Sequence, residues 1–232
     1  MNLQDLINNP PLLHEGKSGE LISWGLHNDT LHYIDQHVNE TSKTLETGAG
    51  ISTILFALKA TNHICIVPNQ RLVDRIKQYC VGHQISTEKI DFRLDRSENA
   101  LPSLDVNDLD LVLIDGRHAF PSPFIDWYYT SSKVKINGIV IVDNTELWTG
   151  MVLKKFLLCE KEWQFQQKFL LKSAAFIKLK EDSHLKSWSQ QAYVARNSRH
   201  LIAATKIRQA FMLWRKGEFS MFFNKIIKNL GT

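Results

Sequence analysis

The sequence predicts an α/β protein with an open, doubly wound Rossmann-like sheet, mostly parallel, that ends in an antiparallel C-terminal hairpin and is followed by a helical extension. Three observations predict this fold. A glycine turn separates a strand-like segment from a helical one near residue 48, apolar runs then alternate with helical patterns, and two adjacent strand-like runs follow Gly150. Continuous apolar runs separated by helices are typical of parallel strands that are covered on both faces.

The N-terminal part is predicted to contain a lead-in and a helical region. Residues 1–18, which include Pro10 and Pro11, show no clear period, and we expect a poorly structured lead-in there. Apolar residues then recur at helical spacing and predict one or two amphipathic helices. These residues are Leu21, Ile22, Leu26, Leu31, Tyr33, Ile34 and Val38.

The sequence LETGAGIST has the context of a strand, a tight turn and a helix start. Gly48 and Gly50 allow a sharp turn and a close approach to a ligand, because neither has a Cβ. Ser52 and Thr53 lie where a helix N-terminus offers unpaired N–H groups to a polar or anionic ligand. With Glu46 directly before the turn, this segment is predicted to be a ligand-binding loop.

Further apolar runs and helical patterns alternate after this turn. The predicted strands are Ile64–Val67, Ile90–Leu94, Leu109–Ile114 and Gly138–Val142, and the predicted helices between them include Gln70–Tyr79 and Phe124–Val134. Their spacing is that of repeated βαβ units, which build an open doubly wound sheet.

The pattern changes after Gly150. Val152–Glu160 is predicted to be a helix, and Trp163–Leu171 and Ala174–Lys180 are predicted to be two strands joined by a turn at 172–173. Beyond Glu181 the chain is polar and then helical, with two apolar stripes. The stripes consist of Leu201, Ala204, Ile207, Phe211 and Trp214, and of Phe219, Phe222, Phe223, Ile226, Ile227 and Leu230. We therefore divide the chain into a lead-in (1–18), a Rossmann-like domain (19–181) and a basic helical extension (182–232).

Composition is that of an ordinary globular protein, with 44% apolar and 22% charged residues among 232. No apolar run reaches the roughly 18–20 residues that span a bilayer. The N-terminus lacks the basic start and apolar segment of a secretory signal, so we expect a cytoplasmic protein. Cys65, Cys80 and Cys159 have no metal-type spacing and are expected to be reduced.

Polar residues follow the predicted strands at the points where the strands end. Glu46–Thr53 follows the first strand, Asp115–His118 the fourth and Asp143–Asn144 the fifth, and Asp95 and Ser97 follow the third. The carboxyl ends of parallel strands meet at one edge of the sheet, where ligands bind at the switch in strand order. We therefore expect these side chains to converge on one crevice.

These motifs resemble those of the class I S-adenosylmethionine-dependent methyltransferases. LETGAGIST resembles the first motif of that family, LDLVLIDGRH its fourth-strand motif, and INGIVIVDNTELWTG the fifth-strand motif of the cation-dependent catechol and caffeoyl-coenzyme A O-methyltransferases. The short DGxH form is also similar to small bacterial O-methyltransferases of the macrocin and cephamycin type. The resemblance covers roughly residues 19–180 and implies methyl transfer to an oxygen of a small molecule or glycoside.

The resemblance also implies roles for individual residues. Gly48 and Gly50 would pack against the methionine part of S-adenosylmethionine, and Glu46 would orient the loop. Asp95 and Ser97 match the segment that meets the adenine. The full set implied for the cofactor is Glu46, Gly48, Gly50, Ser52, Thr53, Asn69, Asp95, Ser97 and Asp115.

A divalent cation, Mg²⁺, is implied by the same comparison. Asp115, Asp143 and Asn144 match the three oxygen ligands of the cation-dependent group. Three hard oxygen donors leave positions on Mg²⁺ that two substrate oxygens can fill. A chelated hydroxyl loses its proton more easily, and His118 is placed to act as a general base with Asp115 beside it. The plainer alternatives are an Asx turn at 143–144 and a structural hydrogen bond for His118.

Two positions depart from the family pattern. Val67 stands where the acid that grips the ribose hydroxyls is expected, with Asn69 as an uncharged substitute. Arg117 replaces a small or acidic residue in the fourth-strand motif. These departures leave a second interpretation open, in which a degenerate methyltransferase domain acts as a binding or scaffold module. A nucleotide-dependent oxidoreductase is disfavoured, because the turn lacks the full G-x-G-x-x-G pattern.

The extension is strongly basic, with eight Lys or Arg residues and one acid, Glu218, from Arg196 onward. We favour a helical extension that packs on the domain or on a second copy of the chain. Contact with a membrane surface is the next interpretation, because cations flank the apolar stripes, and nucleic-acid binding is the least favoured of the three.

Overall fold

The computed structural model describes residues 1–23, 25–166, 171–181 and 186–215. The chain divides into two compact units, residues 1–184 and residues 185–232. In order, the elements of the first unit are α1 (Leu3–Asn8), β1 (His14–Glu15), β2 (Leu21–Ile22), α2 (Asn28–His37), β3 (Lys43–Thr47), α3 (Ile51–Leu58), β4 (Asn62–Ile66), α4 (Gln70–Gly82), β5 (Ile90–Arg93), α5 (Ser97–Ala100), a 3₁₀ turn (Leu101–Ser103), β6 (Leu109–Ile114), α6 (Ser122–Thr130), β7 (Val134–Val142), α7 (Trp148–Leu157), β8 (Trp163–Gln166) and β9 (Ala174–Lys178).

Seven of the strands form one sheet in the order β5-β4-β3-β6-β7-β9-β8. The strands from β5 to β7 are parallel, and β9 is antiparallel to both β7 and β8. From β3 the chain builds outward through β4 and β5 and then returns to place β6 on the other side of β3. The switch in strand order therefore lies between β3 and β6, and the predicted doubly wound sheet with its antiparallel hairpin is confirmed.

The central strands are apolar because both of their faces are covered. In β6, Leu111 and Leu113 belong to one core, whereas Val112 and Ile114 belong to the other. Successive side chains of a strand point to opposite faces, so the unbroken apolar run reflects burial on both sides. Helix α4 contributes only one face to the first core, since its buried residues, Leu72, Val73, Ile76 and Cys80, recur at helical spacing.

The prediction of a poorly structured lead-in at residues 1–18 is wrong. Helix α1 is capped by Asn2 and Asp5, which bond to each other's backbone N–H groups. Leu6 and Leu13 are 0% and 2% exposed and belong to the first core. Polar residues and prolines between the few apolar positions hid this burial from the sequence pattern.

Two element boundaries also differ from the prediction. Leu21 and Ile22 form strand β2, which pairs with β1, rather than the start of a helix. Helix α6 ends at Thr130, and residue 134 already begins β7, because the turn at 131–133 closes with backbone bonds back to the helix. The part of the predicted hairpin at 167–170 lies outside the described residues.

The second unit contains helix α8 (Ala192–Arg215). Leu201, Ile207 and Phe211 of the first predicted stripe are 61%, 70% and 53% exposed. The second stripe, at 219–230, lies outside the described residues. No helix that the structure describes has the length and apolar character needed to cross a membrane.

Candidate functional site

A cavity of about 790 Å³ lies at the carboxyl ends of the parallel strands. The loops that follow β3, β4, β5, β6 and β7 all contribute to its wall, as expected for a site at the switch in strand order. The sequence-predicted residues that line it are Gly48, Gly50, Ser52, Asn69, Ser97, Asp115, His118, Asp143 and Asn144. The predicted convergence of the polar strand ends is therefore observed, although Glu46, Thr53 and Asp95 do not line the cavity.

The glycine loop approaches β6 so closely that Gly48 has no room for a side chain. Its φ is +91°, in the left-handed region, and a Cβ there would collide with the backbone carbonyl oxygen of Asp115. The Gly48 N–H donates to the carbonyl oxygen of Ile66 at 2.9 Å. The loop is thus held between the ends of its two neighbouring strands.

Glu46 holds this loop from behind the cavity wall. Its side chain is 1% exposed and accepts hydrogen bonds from the Ser52 hydroxyl at 2.6 Å and from the Thr53 hydroxyl. The Thr53 hydroxyl in turn accepts the N–H of Gly50 at 3.0 Å. Glu46 and Thr53 therefore position the loop, and the structure gives neither a place in direct contact with a ligand in the cavity.

Sequence reasoning missed two further members of this buried cluster, His63 and Cys65. His63 Nε2 lies 3.1 Å from Glu46 Oε1, outside hydrogen-bond geometry, while His63 Nδ1 bonds to the Thr44 hydroxyl at 2.8 Å. The ligand atoms of Glu46, His63 and Cys65 lie within 4.8 Å of one another. Burial and the Glu46 carboxylate raise the pKa of the Cys65 thiol well above its ordinary value.

A protonated Cys65 thiol is a donor, and it donates to the carbonyl oxygen of Gly48 at 3.4 Å. Both oxygens of Glu46 accept hydroxyl hydrogen bonds from Ser52 and Thr53, at the start of α3. We therefore interpret the cluster as an anchor for the glycine loop. A histidine and a cysteine within an apolar strand were the only signals in the sequence.

Two carboxylates face each other in the cavity. Burial, the nearby Asp143 carboxylate and, to a smaller extent, Glu46 raise the pKa of Asp115 well above its ordinary value. Asp143 accepts a hydrogen bond from the Ser173 hydroxyl, which is itself 2.9 Å from the hydroxyl of Thr30 on α2. The orientation of Asp143 is therefore fixed by Ser173, directly before β9, and through it by α2.

His118 and Asn144 complete this part of the cavity. His118 Nε2 lies 4.0 Å from Asp115 Oδ1, and burial lowers the pKa of His118 despite the opposing charges of Asp143 and Glu146. A neutral imidazole can accept a proton. Asn144 has a φ of +51° and donates its amide to Glu146 at 3.3 Å.

The oxygens of Asp115, Asp143 and Asn144 fit a divalent cation. All three side chains belong to the same cavity, and carboxylate and amide oxygens are the donors that Mg²⁺ takes in proteins. The repulsion that raises the pKa of Asp115 is the interaction that a cation between the carboxylates would relieve.

The opposite end of the cavity is formed by β4, α4 and α5. Val67 is buried, and the side-chain oxygen of Asn69 caps α4 by accepting the Leu72 N–H at 3.2 Å. Asp95, which the resemblance places with the residues that meet the cofactor, does not line the cavity. Its carboxylate is exposed and accepts from the Arg96 N–H at 2.7 Å and from Asn99 at 2.9 Å. Short-range capping outcompetes the cavity for this side chain.

Four residues of this end were not predicted from the sequence as site residues. Arg96 and Glu98 line the cavity beside Ser97, and His14 and Leu26 reach it from the N-terminal region. Arg96 and Glu98 follow β5 directly, next to the predicted Asp95 and Ser97. The position of His14 follows from the packing of the N-terminal hairpin, which sequence periodicity does not report.

Comparison with known proteins agrees with this geometry. Residues 45–145 match a family model described as a methyltransferase domain. This match covers fewer than half of the residues, and it agrees with the resemblance of the motifs to class I S-adenosylmethionine-dependent methyltransferases. The matched range extends from the glycine loop to the residue after Asn144, and so includes Asp115, His118 and Asp143. The comparison with curated proteins finds no match.

Solved structures with a similar fold include O-methyltransferases and an RNA methylase. A candidate caffeoyl-CoA O-methyltransferase from Staphylococcus aureus has a TM-score of 0.56 and 17% identity, over 67% of this chain and 86% of that one. A second structure is TomG from Streptomyces achromogenes, an O-methyltransferase of tomaymycin synthesis in complex with S-adenosylmethionine. Its TM-score is 0.54 and its identity 14%, over 77% of this chain and 86% of that one. An rRNA methylase from Streptococcus thermophilus has a TM-score of 0.53 and 11% identity, over 68% of this chain and 99% of that one. At these identities the likeness of this chain to the three structures shows the fold.

Proposed function

We propose that this protein transfers the methyl group of S-adenosylmethionine to an oxygen of a small molecule or glycoside, with the assistance of a divalent cation. The observation that carries the proposal is the meeting of Asp115, Asp143, Asn144 and His118 in one cavity, beneath a glycine loop that admits no side chain at Gly48. The cofactor supplies an electrophilic methyl group. The acceptor oxygen would form a bond to this carbon as the carbon–sulfur bond breaks, leaving S-adenosylhomocysteine.

Different residues of the cavity would bind the cofactor, hold the cation and accept the proton. The loop at 48–50 would hold the methionine part of the cofactor close to the end of β6. Asp115, Asp143 and Asn144 would hold the cation, which would make a chelated acceptor hydroxyl more acidic. Neutral His118 is placed to take the proton of the acceptor, since its Nε2 lies at the same end of the cavity as Asp115.

Calorimetric titration with S-adenosylmethionine and S-adenosylhomocysteine, with and without Mg²⁺, tests the cofactor part. Micromolar binding, about −8 kcal/mol, is the expected result. A screen of hydroxylated acceptors follows, in which Asp143→Ala is expected to abolish turnover and to retain cofactor binding. Full turnover in EDTA would contradict the role of the cation, and turnover of RNA rather than small acceptors would contradict the acceptor class.

A binding module is the second candidate function, and one observation on α8 favours it. The helix carries Arg196, Arg199, Lys206, Arg208 and Arg215 and no acidic residue, and large apolar side chains are exposed between these cations. Flotation of the full chain with anionic and with neutral vesicles tests a membrane surface as the partner. Absence of S-adenosylhomocysteine binding at millimolar concentration would favour this second function over catalysis.

A further inference from the structure

The end of the cavity beside β4 lacks the group that the chemistry of the cofactor calls for. The ribose of S-adenosylmethionine has two adjacent hydroxyls, each of which needs a hydrogen-bond partner when it is buried. Residues 66–69 are Ile-Val-Pro-Asn and contain no carboxylate. The Asn69 side-chain oxygen accepts the Leu72 N–H as the cap of α4, so the helix start takes part of its hydrogen-bonding capacity.

The N-terminal hairpin brings another polar side chain to this end. His14 of β1 lines the cavity together with Val67, Asn69 and Leu72. Arg75, one turn beyond Leu72 on α4, donates from Nη1 to the carbonyl oxygen of Leu13 at 3.0 Å and pairs through Nη2 with Glu15. Both sequence neighbours of His14 are thus tied to α4, which begins at this end of the cavity.

The hairpin is also held by packing, so the position of His14 is not that of a loose terminus. Leu13 is 2% exposed and belongs to the first core, and His14 pairs with Ile22 of β2. Burial and the charge of Arg75 lower the pKa of His14. A neutral imidazole has one donor and one acceptor nitrogen, which suits a hydroxyl.

We propose that His14 binds a ribose hydroxyl of the cofactor in place of the carboxylate that is replaced by Val67. This assignment rests on the proposed function and adds to it a binding residue from outside the matched family range. Glu98, on the α5 side of the cavity, is a side chain at this end that carries a carboxylate. His14 is preferred because it is fixed to α4, whereas Glu98 is exposed on a four-residue helix.

The experiment is calorimetric titration of the full chain with S-adenosylhomocysteine and with its 2′-deoxy and 3′-deoxy analogues. The wild type is expected to bind at least one deoxy analogue about tenfold more weakly than the parent ligand. His14→Leu keeps the bulk of the side chain and is expected to bind the parent about tenfold more weakly, with the discrimination against the deoxy analogues lost. His14→Gln, which keeps a donor and an acceptor, is expected to recover part of both.

Controls separate this inference from its alternatives. His32→Ala, an exposed position on α2, is expected to bind like the wild type. Discrimination that survives in both His14 variants, or that is lost in Glu98→Gln alone, would overturn the role of His14 while the proposed function stands. Failure of the wild type to bind S-adenosylhomocysteine would overturn the proposed function and this inference together. Thermal melting of each variant shows whether a lost affinity reflects a lost fold, and His14→Gln decides if His14→Leu does not fold.

Discussion

The hydroxyl of Thr47 donates a 2.8 Å hydrogen bond to the carboxylate of Asp126, which lies 79 positions later in the chain. Asp126 is fully buried on α6, and Ser97 also bonds to it. Thr47 and Ser97 both line the cavity. One buried side chain therefore joins two walls of the site, although it does not line the cavity itself.

Replacing Asp126 by Asn is expected to change how stability depends on pH. Burial raises the pKa of Asp126 despite the hydrogen bonds from Ser97 and Thr47, so the folded state holds the proton to higher pH than the unfolded state does. Ionisation of Asp126 then costs stability, which is lost as pH rises through the folded pKa. Asp126→Asn cannot ionise and lacks this loss.

Chemical denaturation of the wild type and Asp126→Asn between pH 4 and pH 7 measures the difference. The free energy of unfolding of the variant, relative to the wild type, is expected to rise with pH across this window. Other titrating groups, Asp115 among them, are present in both proteins and cancel in the difference. Parallel stability curves would show that Asp126 does not titrate between the two states.

Gly48→Ala is expected to damage both folding and cofactor binding. Alanine at a left-handed φ costs about 1–2 kcal/mol, and the collision with the Asp115 carbonyl adds to this cost. We expect a loss of about 2 kcal/mol or more in stability and a loss of about tenfold or more in affinity for S-adenosylhomocysteine.

The chain offers a matched control for this change at Gly82. A Cβ at Gly82 meets no atom within 4 Å, and alanine is favoured over glycine in a helix by up to about 1 kcal/mol. Gly82→Ala is expected to be neutral or stabilising, with unchanged affinity. Equal effects of the two substitutions would refute the steric argument at Gly48.

The parts of the fold that the sequence predicted well are those with a strong local signal. The run at 109–114 becomes β6 with the predicted bounds, because a strand buried on both faces is apolar at nearly every position. The glycine loop was recognisable because the left-handed conformation at Gly48 favours glycine. Both features are readable from a few adjacent residues.

The missed parts depend on contacts that are distant in sequence. His14 is held at the cavity by contacts of its neighbours with residues distant in sequence, among them the ion pair of Glu15 with Arg75, 60 residues later. Asp126 has the appearance of an ordinary polar residue on a helix, and its burial depends on the packing of α6 against α5 and β6. Asp95 differs from them, since its carboxylate accepts a hydrogen bond from the adjacent Arg96 N–H and does not line the cavity.

The three cysteines are expected to differ sharply in reactivity. Cys65 and Cys80 are fully buried, whereas Cys159 is partly exposed. Burial raises the pKa of Cys80 to about 11, so its thiolate fraction near neutral pH is about 100-fold below that of an ordinary thiol. A thiol reagent should modify one thiol rapidly in the native protein and the other two only after denaturation. Cys159→Ser should abolish the rapid modification, and a second fast thiol in the native state would contradict the burial of the other two.

An exposed aromatic pair stands beside the proposed catalytic residues. Phe120 and Trp148 are 67% and 62% exposed, and their ring centroids are 6.5 Å apart. Phe120 belongs to the loop after β6, and Trp148 is the first residue of α7. The two segments are joined by a hydrogen bond of 2.6 Å, which the Thr149 hydroxyl donates to the carbonyl oxygen of His118. Neither ring lines the cavity, but Phe120 is two residues from His118, which does. Exposed aromatic residues close to a cavity are suited to hold the apolar face of a ring.

Phe120→Ala and Trp148→Ala are therefore expected to weaken the binding of the acceptor rather than the binding of the cofactor. Each should raise the acceptor KM by about tenfold, with kcat lowered less than KM is raised. The dissociation constant of S-adenosylhomocysteine should stay within about twofold of the wild-type value, because the glycine loop and the ends of β4 and β5 are unchanged. Val81→Ala, which removes a 78% exposed apolar side chain outside the cavity, serves as the control in the same steady-state assay. An unchanged acceptor KM in both aromatic variants would place the acceptor elsewhere. Weaker binding of S-adenosylhomocysteine in either variant would show that the pair supports the fold of the site rather than the binding of the acceptor.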